Sequence, residues 1–377
     1  MSSAALPIDP RWGKPPWRLT ARVDPAPLPE KVDVAIVGGG FTGLAVACWL
    51  RRLAPERSVA LLEASHLGAG ASGRTGGIVL DETPAGALPE LGAVLGGFAQ
   101  ALVELGIDCD LKLSGVWEIA RSEASSDSPI AWQDSGLLRV AEEVPGGTLD
   151  PGALLSGLAR VAQASGARLY EHAGVHRIRF EDSVRLELTA GELSAQQVVQ
   201  AVNASGLELA PWPASTRANL TLAVATAPLS EDQLRRLGLA PGKPFYTLDL
   251  PYLWGSPLAD HRLIFGGGLV HVETAEELAA VDVRQGEAVR LLESLQARVR
   301  GLHPVLGSVE FTHRWGGPIL FAPAGRPILC RHPESPRGLV LGGYTGQGIA
   351  LSVYLARWAA KALLGGRHLP NWGQPED

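Results

Sequence analysis

The sequence predicts an α/β chain, α+β overall, in which a Rossmann-type nucleotide-binding domain is interleaved with a second domain built on a mixed sheet. One observation is a short apolar run, residues 32–37, that leads into a glycine-rich turn and a helical pattern at 44–53. Another is a second strand, glycine turn and helix pattern that begins at residue 338. The third is a group of runs typical of strands, at 219–229, 245–254 and 261–268.

Composition excludes several classes of protein. The chain has 377 residues, of which 46% are hydrophobic and 19% charged, so it can bury the cores of about two domains. Its net charge of −6 argues against nucleic-acid binding as the main role. The three cysteines are far apart and form no CxxC pair, which excludes a disulfide scaffold and a cysteine-rich metal centre. No metal site is predicted.

The first 30 residues predict an extended arm rather than a targeting segment. Residues 1–30 contain prolines and scattered charges but no apolar stretch typical of a signal peptide. We expect Trp12 and Trp17 to hold this arm against the protein surface. Apolar stretches at 32–50 and 339–364 are interrupted by glycines, so neither predicts a membrane span. The simplest expectation is a soluble, cytoplasmic protein.

The first glycine turn has the pattern of a phosphate-binding turn. Gly38, Gly40 and Gly43 fit G-x-G-x-x-G, with Phe41 and Thr42 between the last two glycines. The first glycine permits the tight turn, the second lets the backbone approach a pyrophosphate, and the third lets helix and strand pack closely. The N-terminus of the following helix supplies free N–H groups and a partial positive charge. An ordinary glycine-rich turn is the alternative interpretation.

Glu63 narrows the choice of cofactor. It ends a second strand pattern at 58–62, where an acidic side chain can accept hydrogen bonds from ribose hydroxyls. An acid at this position favours FAD or NAD over a cofactor with a phosphorylated ribose. The chain then enters a second glycine-dense loop, residues 63–77, instead of another strand and helix. Such a loop can wrap a longer dinucleotide, which favours FAD.

At this point the sequence resembles the FAD-dependent amine and amino-acid oxidoreductases of the D-amino-acid oxidase superfamily. The nearest likeness is the gamma-glutamylputrescine oxidase-like branch, with its GASGR-N-GG loop, in which Thr75 stands here in place of the asparagine. The resemblance extends over about residues 30–365 and implies a glutathione-reductase-type FAD-binding domain. The cofactor-binding residues expected from the motifs and the resemblance are Gly38, Gly40, Phe41, Thr42, Gly43, Glu63, Ala64, Gly70, Ala71, Ser72, Arg74, Thr75, Gly76, Gly77, Val175, Asn203, Gly343, Tyr344, Thr345, Gly346, Gln347 and Gly348.

The C-terminal glycine segment is expected to lie against the flat flavin ring. Residues 338–340 predict a strand, which runs into glycines at 342–348 and then into a helix. The N-terminus of this helix would stabilise the negative charge that hydride arrival at N5 leaves around N1 and C2=O. A helix packed through small residues is the alternative.

The resemblance also implies noncovalent FAD. Relatives that link the flavin covalently carry a cysteine near the position of Trp315 or a histidine near that of Arg74, and neither residue type stands there. Some sarcosine-oxidase relatives carry a lysine that assists the reaction with oxygen, and its position falls near Ile264 here. The electron acceptor therefore stays open between oxygen and a quinone or protein. The sequence also leaves the oligomeric state open.

The candidate catalytic residues lie on the substrate side. Trp254, Trp315 and Tyr344, with Tyr246 and Tyr252, are candidates for an aromatic cage that attracts an amine, although core packing explains each of them equally well. Arg326 is the fourth catalytic candidate, and with Arg217 it is a candidate for holding a substrate carboxylate. Asp249 is a candidate for holding a distal ammonium group. His172 and His176 are interpreted as surface or core residues, and His261 and His313 as weaker pocket candidates.

The predicted reaction is oxidation of a C–N bond in a small amine or amino acid. FAD accepts a hydride at N5, the resulting imine hydrolyses, and no strong protein base is needed. The alternative function is an FAD-bound assembly or regulatory protein of the same fold without metabolic turnover. Three features keep that alternative open: Thr75, an alanine at position 324 where the family has aspartate, and a shortened region at 121–145.

The motif positions predict that each domain is discontinuous in the sequence. An N-terminal arm covers 1–30. The FAD-binding domain is assembled from 31–84, 148–215 and 316–377, and the substrate domain from 85–147 and 216–315.

Overall fold

The computed structural model describes residues 10–122, 127–189 and 191–374. Residues 1–9 of the predicted arm, 123–126 of a serine-rich stretch and 375–377 at the end of the predicted FAD-binding domain lie outside the described residues. Within the described part of the chain the helices are α1 (Phe41–Leu53), α2 (Val94–Leu105), α3 (Pro151–Ala164), α4 (Glu231–Arg236), α5 (Ala275–Ala280), α6 (Gly286–Leu302) and α7 (Gly348–Leu363).

The strands form two eight-stranded sheets and one two-stranded sheet. In chain order they are β1 (Lys31–Val37), β2 (Val59–Leu62), β3 (Ile78–Leu80), β4 (Val116–Arg121), β5 (Trp132–Gln133), β6 (Leu137–Val144), β7 (Gly146–Thr148), β8 (Arg168–Tyr170), β9 (Val175–Phe180), β10 (Val184–Leu188), β11 (Gly191–Gln200), β12 (Arg217–Thr226), β13 (Phe245–Thr247), β14 (Trp254–Pro257), β15 (Leu263–Val272), β16 (Phe311–Phe321), β17 (Ile328–His332) and β18 (Ser335–Gly342).

The first sheet is the predicted Rossmann-type sheet. Its strand order is β17-β18-β11-β1-β2-β8, and the pairs from β18 to β8 are parallel. The remaining two of its eight strands lie off this path, where β10 pairs with β11 and β9 pairs with β10, both antiparallel. β1 lies near the middle, and Val34, Ala35 and Ile36 are fully buried. A strand that is covered on both faces needs a continuous apolar run, which is why the sequence showed this element clearly. The predicted fold class is confirmed.

The assignment of residues 85–147 to the substrate domain needs a correction. Helix α2, at the start of this segment, packs against α7 of the nucleotide-binding domain, and Phe98 belongs to the same buried cluster as residues of α1 and α3. A Cβ added at Gly97 would overlap the ring of Tyr354, so the two helices approach closely. The predicted boundary at 316 also divides one strand, because β16 continues to residue 321 within the second sheet.

The second sheet has the order β16-β12-β15-β14-β13-β4-β6-β5. One face is covered by α6 and carries large apolar side chains, among them Leu222, Phe245 and Phe265. Residues 245–254 do not form the single strand that the sequence predicted. They form β13, a loop that exposes Leu250, and the start of β14. Pro251 supplies no N–H for a sheet ladder, so the run turns back as a hairpin.

The N-terminal arm crosses from the second domain to the first. Trp12 Nε1 donates to Leu278 O at 3.2 Å, and Trp17 Nε1 donates to Gly73 O at 2.8 Å. The two predicted tryptophan anchors therefore hold the described part of the arm. None of the described helices combines the length and the apolar composition that crossing a membrane requires.

Candidate cofactor and substrate site

The first glycine turn has the geometry that its sequence pattern requires. Gly38 has a φ of 110°, and a Cβ added there would lie 2.9 Å from the carbonyl carbon of Ala201. A Cβ on Gly43 would overlap the carbonyl oxygen of Gly38, so no larger residue fits where α1 leaves the strand. The first turn of α1 contains no acidic residue and its N-cap, Gly40, makes no side-chain cap bond. Apart from Phe41 N, which donates to Ser72 Oγ, the N–H groups of this turn can therefore meet an anion.

Glu63 stands where the ribose acid was expected, and its carboxylate is already oriented by the backbone. Its Oε2 accepts from Gly39 N at 2.8 Å, and its Oε1 accepts from Ser65 N at 2.9 Å. Burial raises the pKa of the Glu63 carboxyl, while the two N–H groups oppose that shift. The carboxylate thus joins the phosphate-binding turn to the end of β2. Val175 begins β9 close by, since a Cβ on the preceding Gly174 would lie 3.4 Å from Ala64 Cβ.

The later part of the second glycine loop, residues 70–77, runs from the start of α1 to the second sheet. Ser72 Oγ accepts from Phe41 N at 2.9 Å at one end. At the other end a Cβ added to Gly76 would overlap the ring of Trp254. Ala71 lies in a short 3-10 turn between these contacts, Thr75 is partly exposed, and Gly77 has a φ of 76°.

Arg74 supports this loop from beneath. Its Nε donates to Ala69 O at 3.1 Å, and its Nη1 lies within hydrogen-bonding distance of the carbonyls of Trp12, Gly13 and Gly316. The side chain is 2% exposed. The structure therefore shows the guanidinium in a position that supports the loop, and the cofactor contact expected of Arg74 stays a prediction. Five donors in a planar fork suit a residue that gathers several carbonyls.

The C-terminal glycine segment meets the first one. Tyr344 Oη lies 3.0 Å from Thr42 Oγ1, and burial raises the pKa of this tyrosine above its usual range. Asn203 Oδ1 accepts from Gly343 N at 3.2 Å, and Thr345 Oγ1 accepts from Ala322 N at 3.0 Å. These bonds place the start of α7, at Gly348, beside the phosphate-binding turn and the edge of the second sheet.

We call the space between the phosphate-binding turn, the second glycine loop and the C-terminal glycine segment the cradle. Three of its features fit a bound ligand. Gly70 has an ordinary φ of −80°, yet the nearest atom to a Cβ there is Ser205 Oγ at 4.0 Å. Around Gly346 only Ile319 comes within 4 Å of an added Cβ, at 3.8 Å. Gln347 Oε1 is buried and has no hydrogen-bond partner among the described residues. Open space beside glycines and an unpaired polar atom are what a ligand would fill. The residues present therefore fit a dinucleotide.

A row of side chains crosses the second sheet on the face that meets this cradle. Register places Ala223 opposite Gly266, Gly266 opposite Trp254, and Trp254 opposite Tyr246. Register also places Trp315 opposite Ala223. We call this set the flavin-side row; in order across the sheet it comprises Trp315, Ala223, Gly266, Trp254, Tyr246 and Glu118.

Trp254 and Trp315 occupy different environments within the flavin-side row. The Trp254 ring lies over Gly266 and against Gly76, where any side chain would collide with it, and it is partly exposed. Trp315 is 1% exposed and donates through Nε1 to Arg74 O at 2.9 Å. Its ring meets Trp17 of the arm edge to face at 5.7 Å. Trp254 therefore faces the site, whereas Trp315 packs beneath it.

Glu118 is a residue of the row that sequence reasoning missed. The Tyr246 hydroxyl donates to its carboxylate, and the ring of Tyr252 lies 6.3 Å from that of Tyr246. Its neighbours Trp117 and Ile119 are buried on the opposite face. An acid between two buried apolar residues is the alternation expected of a strand with two different faces, and that signal could have identified it.

Several other candidates are engaged elsewhere. Arg217 Nη1 donates to Ala214 O at 2.7 Å. Asp249 Oδ2 accepts from Arg121 N at 2.6 Å. His313 Nδ1 lies 2.9 Å from Thr312 Oγ1, and burial lowers its pKa. Arg326 follows a turn, Pro323–Gly325, that lies against the 84–85 segment, where a Cβ on Gly325 would be 2.9 Å from Pro84 Cβ. Among the described residues no group of three or more His, Cys, Asp and Glu side chains suits a metal ion.

The fold combines a Rossmann-type sheet and its phosphate-binding turn with an acid on the ribose side. A second glycine segment lies against a mixed sheet. Together these features define the class of dinucleotide-dependent oxidoreductases. A sequence model of one family, described as FAD dependent oxidoreductase (DAO), matches residues 33–362. The chain belongs to this family. It is therefore an FAD-dependent enzyme.

Individual relatives agree with this assignment. The chain is 28% identical over 378 residues to gamma-glutamylputrescine oxidoreductase of Escherichia coli K12, covering 88% of this chain and 84% of the relative. It is 26% identical over 358 residues to glycine oxidase of Geobacillus kaustophilus, covering 86% and 90%. Among solved structures, L-proline dehydrogenase from P. horikoshii superposes with a TM-score of 0.71 at 16% identity, covering 90% of this chain and 95% of the other.

Proposed function

We propose that the protein oxidises the C–N bond of a small amine or amino acid. The observation that carries the proposal is the contact of Trp254 with Gly76, because it brings the substrate-side sheet directly against the cofactor loop. The named activities of the relatives, which include an oxidoreductase acting on gamma-glutamylputrescine and a glycine oxidase, support the same substrate class.

The reaction needs little acid–base chemistry from the protein. FAD, once bound, would supply the two-electron acceptor for the hydride that leaves the carbon next to the nitrogen. The nitrogen lone pair forms the C=N bond, a proton leaves the nitrogen, and water hydrolyses the imine to a carbonyl compound and ammonia, or an amine where the substrate nitrogen carries a second carbon. The two electrons then pass to oxygen, giving peroxide, or to a quinone or protein acceptor. The partly exposed Trp254 and Tyr246 orient the substrate in this proposal, and Trp315 with Arg74 holds the loop.

We also propose that FAD is bound without a covalent link. The Arg74 side chain lies under the loop at the position where a linking histidine was considered. Cys330 is 1% exposed inside a small apolar cluster, and burial raises the pKa of its thiol to about 11. A thiol that stays protonated and enclosed is a poor nucleophile. Acid precipitation should therefore leave the flavin in solution, and flavin colour in the protein pellet would contradict the proposal.

The test of function is anaerobic mixing of the holoenzyme with a panel of amines and amino acids. We expect at least one class to bleach the flavin absorbance and release one carbonyl product per flavin reduced. Admitting air afterwards distinguishes an oxidase, which reoxidises at once with peroxide formed, from a dehydrogenase, which stays reduced until a quinone is added. If no member of the panel reduces the flavin, the proposed function is wrong.

A further inference from the structure

The charge of the substrate can be inferred from the outer end of the flavin-side row. We propose that Glu118 binds a positively charged group of the substrate, so that the preferred substrates are amines with a second ammonium group rather than amines with a carboxylate. This inference rests on the proposed function and names the substrate class of the same site.

The position of Glu118 suits the distal end of a substrate. Parallel pairing of β4 with β13 sets Glu118 beside Tyr246, and antiparallel pairing sets Tyr246 beside Trp254. Neighbours in register share a face of the sheet, and adjacent strands lie about 4.8 Å apart. Glu118 is therefore about 10 Å from the strand position of Trp254, which touches the cofactor loop. A chain of about four carbons fits such a separation.

The Glu118 carboxylate is partly buried and has no cationic partner among the described residues. Its neighbours along β4, Trp117 and Ile119, are apolar. The Tyr246 hydroxyl donates to one oxygen of the Glu118 carboxylate. Within residues 10–122, 127–189 and 191–374 it forms no ion pair with a Lys, Arg or His side chain. A carboxylate removed from water without a counter-charge is unfavourable, and an ammonium group from a ligand would compensate it.

The surroundings carry negative rather than positive charge. The pKa of Tyr246 is raised above its usual range. Burial is the largest cause, and smaller contributions come from Glu118, Tyr252 and Glu82. Desolvation and Glu118 raise the pKa of Tyr252 to about 12, although that residue as a whole is 47% exposed. Each of these acidic neighbours disfavours an anion at the same place. An amino-acid carboxylate would therefore be repelled here, whereas an ammonium group would be attracted.

The aromatic rings add a second attraction of the same sign. The rings of Tyr246 and Tyr252 lie 6.3 Å apart beside the carboxylate, and Trp254 is the next residue of the row. Ring faces attract cations. Asp249, the acid that the sequence suggested for a distal ammonium, is held by Arg121, whose N–H lies 2.6 Å away and whose guanidinium lies 3.9 Å away.

Arg139 is the residue that would support the opposite charge preference. It stands opposite Ala120 across the β4–β6 pairing, two residues beyond Glu118 along β4. Its Nε is buried without a hydrogen-bond partner among the described residues. If the substrate carried a carboxylate, this guanidinium would be its nearest candidate partner on that side of the sheet. The experiment therefore includes both residues.

Three probes of equal length isolate the charge at the far end: 1,4-diaminobutane, 1-aminobutane and 4-aminobutanoate. The measurement is the second-order rate constant for anaerobic flavin reduction. We expect the diamine to react at least about 10-fold faster than the monoamine, and 4-aminobutanoate to react slowest. Glu118→Gln should lower the rate with the diamine about 10- to 100-fold and leave the monoamine unchanged, as loss of one charge-assisted hydrogen bond predicts.

Two further variants separate recognition from structure. Glu143→Gln changes an exposed acid of β6 that stands opposite Trp117, on the other face of the sheet, and should leave the selectivity unchanged. Glu118→Asp keeps the charge on a shorter side chain and should shift the preference to 1,5-diaminopentane, which a purely structural role would not do. If Glu118→Gln does not fold, this shift in chain length tests the proposal by itself.

The outcomes distinguish failure of this inference from failure of the proposed function on which it rests. Failure of every amine and amino acid to reduce the flavin would overturn the proposed function. Reduction by amines with the same diamine preference in Glu118→Gln would overturn only the role of Glu118. A preference for 4-aminobutanoate that Arg139→Gln abolishes would reverse the assigned charge of the substrate.

Discussion

The hydroxyl of Tyr344 lies 3.0 Å from that of Thr42, although 302 residues separate them in the chain. This contact joins the phosphate-binding turn at the start of α1 to the glycine segment before α7. Both side chains are buried, so the bond is protected from water. The two ends of the sequence thus meet at one wall of the proposed cofactor site, and the position of each end depends on the other.

Tyr344→Phe should weaken FAD binding without unfolding the protein. Loss of this bond leaves the Thr42 hydroxyl without its partner, which costs about 1 kcal/mol or a several-fold rise in Kd. Flavin fluorescence during titration of the apoprotein measures the change. The matched control is Tyr354→Phe in α7, whose hydroxyl donates to Leu91 O away from the site. It should lower the melting temperature and leave the FAD Kd unchanged; equal effects of both variants on Kd would contradict the assignment.

Gly76→Ala should disturb the flavin side of the site. The added methyl group would overlap the Trp254 ring, so the ring or the loop must move. We expect a shifted flavin absorption spectrum and at least a 10-fold slower reductive half-reaction. Combining it with Trp254→Ala should restore the spectrum, since the obstructing ring is removed. Gly301→Ala in α6 meets nothing within 4 Å and serves as the control with an unchanged spectrum.

Arg74→Met should release the N-terminal arm. The substitution leaves the carbonyls of Trp12 and Gly13 without their donor, and we expect a loss of about 1–3 kcal/mol in the free energy of unfolding. Trypsin should then cleave after Arg18 faster than in the unaltered protein. Arg217→Met removes an exposed arginine that also bonds backbone carbonyls, and it should leave the cleavage rate unchanged. An arm that stays resistant in Arg74→Met would show that its tryptophans suffice.

Stability should rise with pH through the range in which His332 titrates. Burial lowers the pKa of His332 below its ordinary value of 6.5, so the unfolded chain binds a proton at a pH where the folded one does not. Acidification below about pH 6.5 therefore favours unfolding until the folded-state pKa is passed. The slope of unfolding free energy against pH should decrease in His332→Asn. His368→Asn, at an exposed site, is the control; an equal decrease there would remove His332 as the cause.

Much of the cofactor half was predictable because its signals are local. The continuous apolar run of β1, the three glycines after it and the acid at the end of β2 each reflect a backbone conformation or burial that neighbouring residues set. The start of α3 is also set locally, because Asp150 caps its first turn by accepting from Gly152 N at 2.7 Å. The glycine segment before α7 was also found where its sequence placed it.

The sequence by itself thus determined the family, the cofactor, and the strands and helices that are expected to bind it. Only the tertiary structure decided what joins them. Arg74 acts on carbonyls that are 61 and 242 positions away, Glu118 meets Tyr246 through a parallel pairing 128 positions apart, and α2 joins the nucleotide-binding core. The physical reason is that periodicity and turn chemistry report local conformation and burial, whereas the partner of a buried donor or an acid depends on strand order and domain packing.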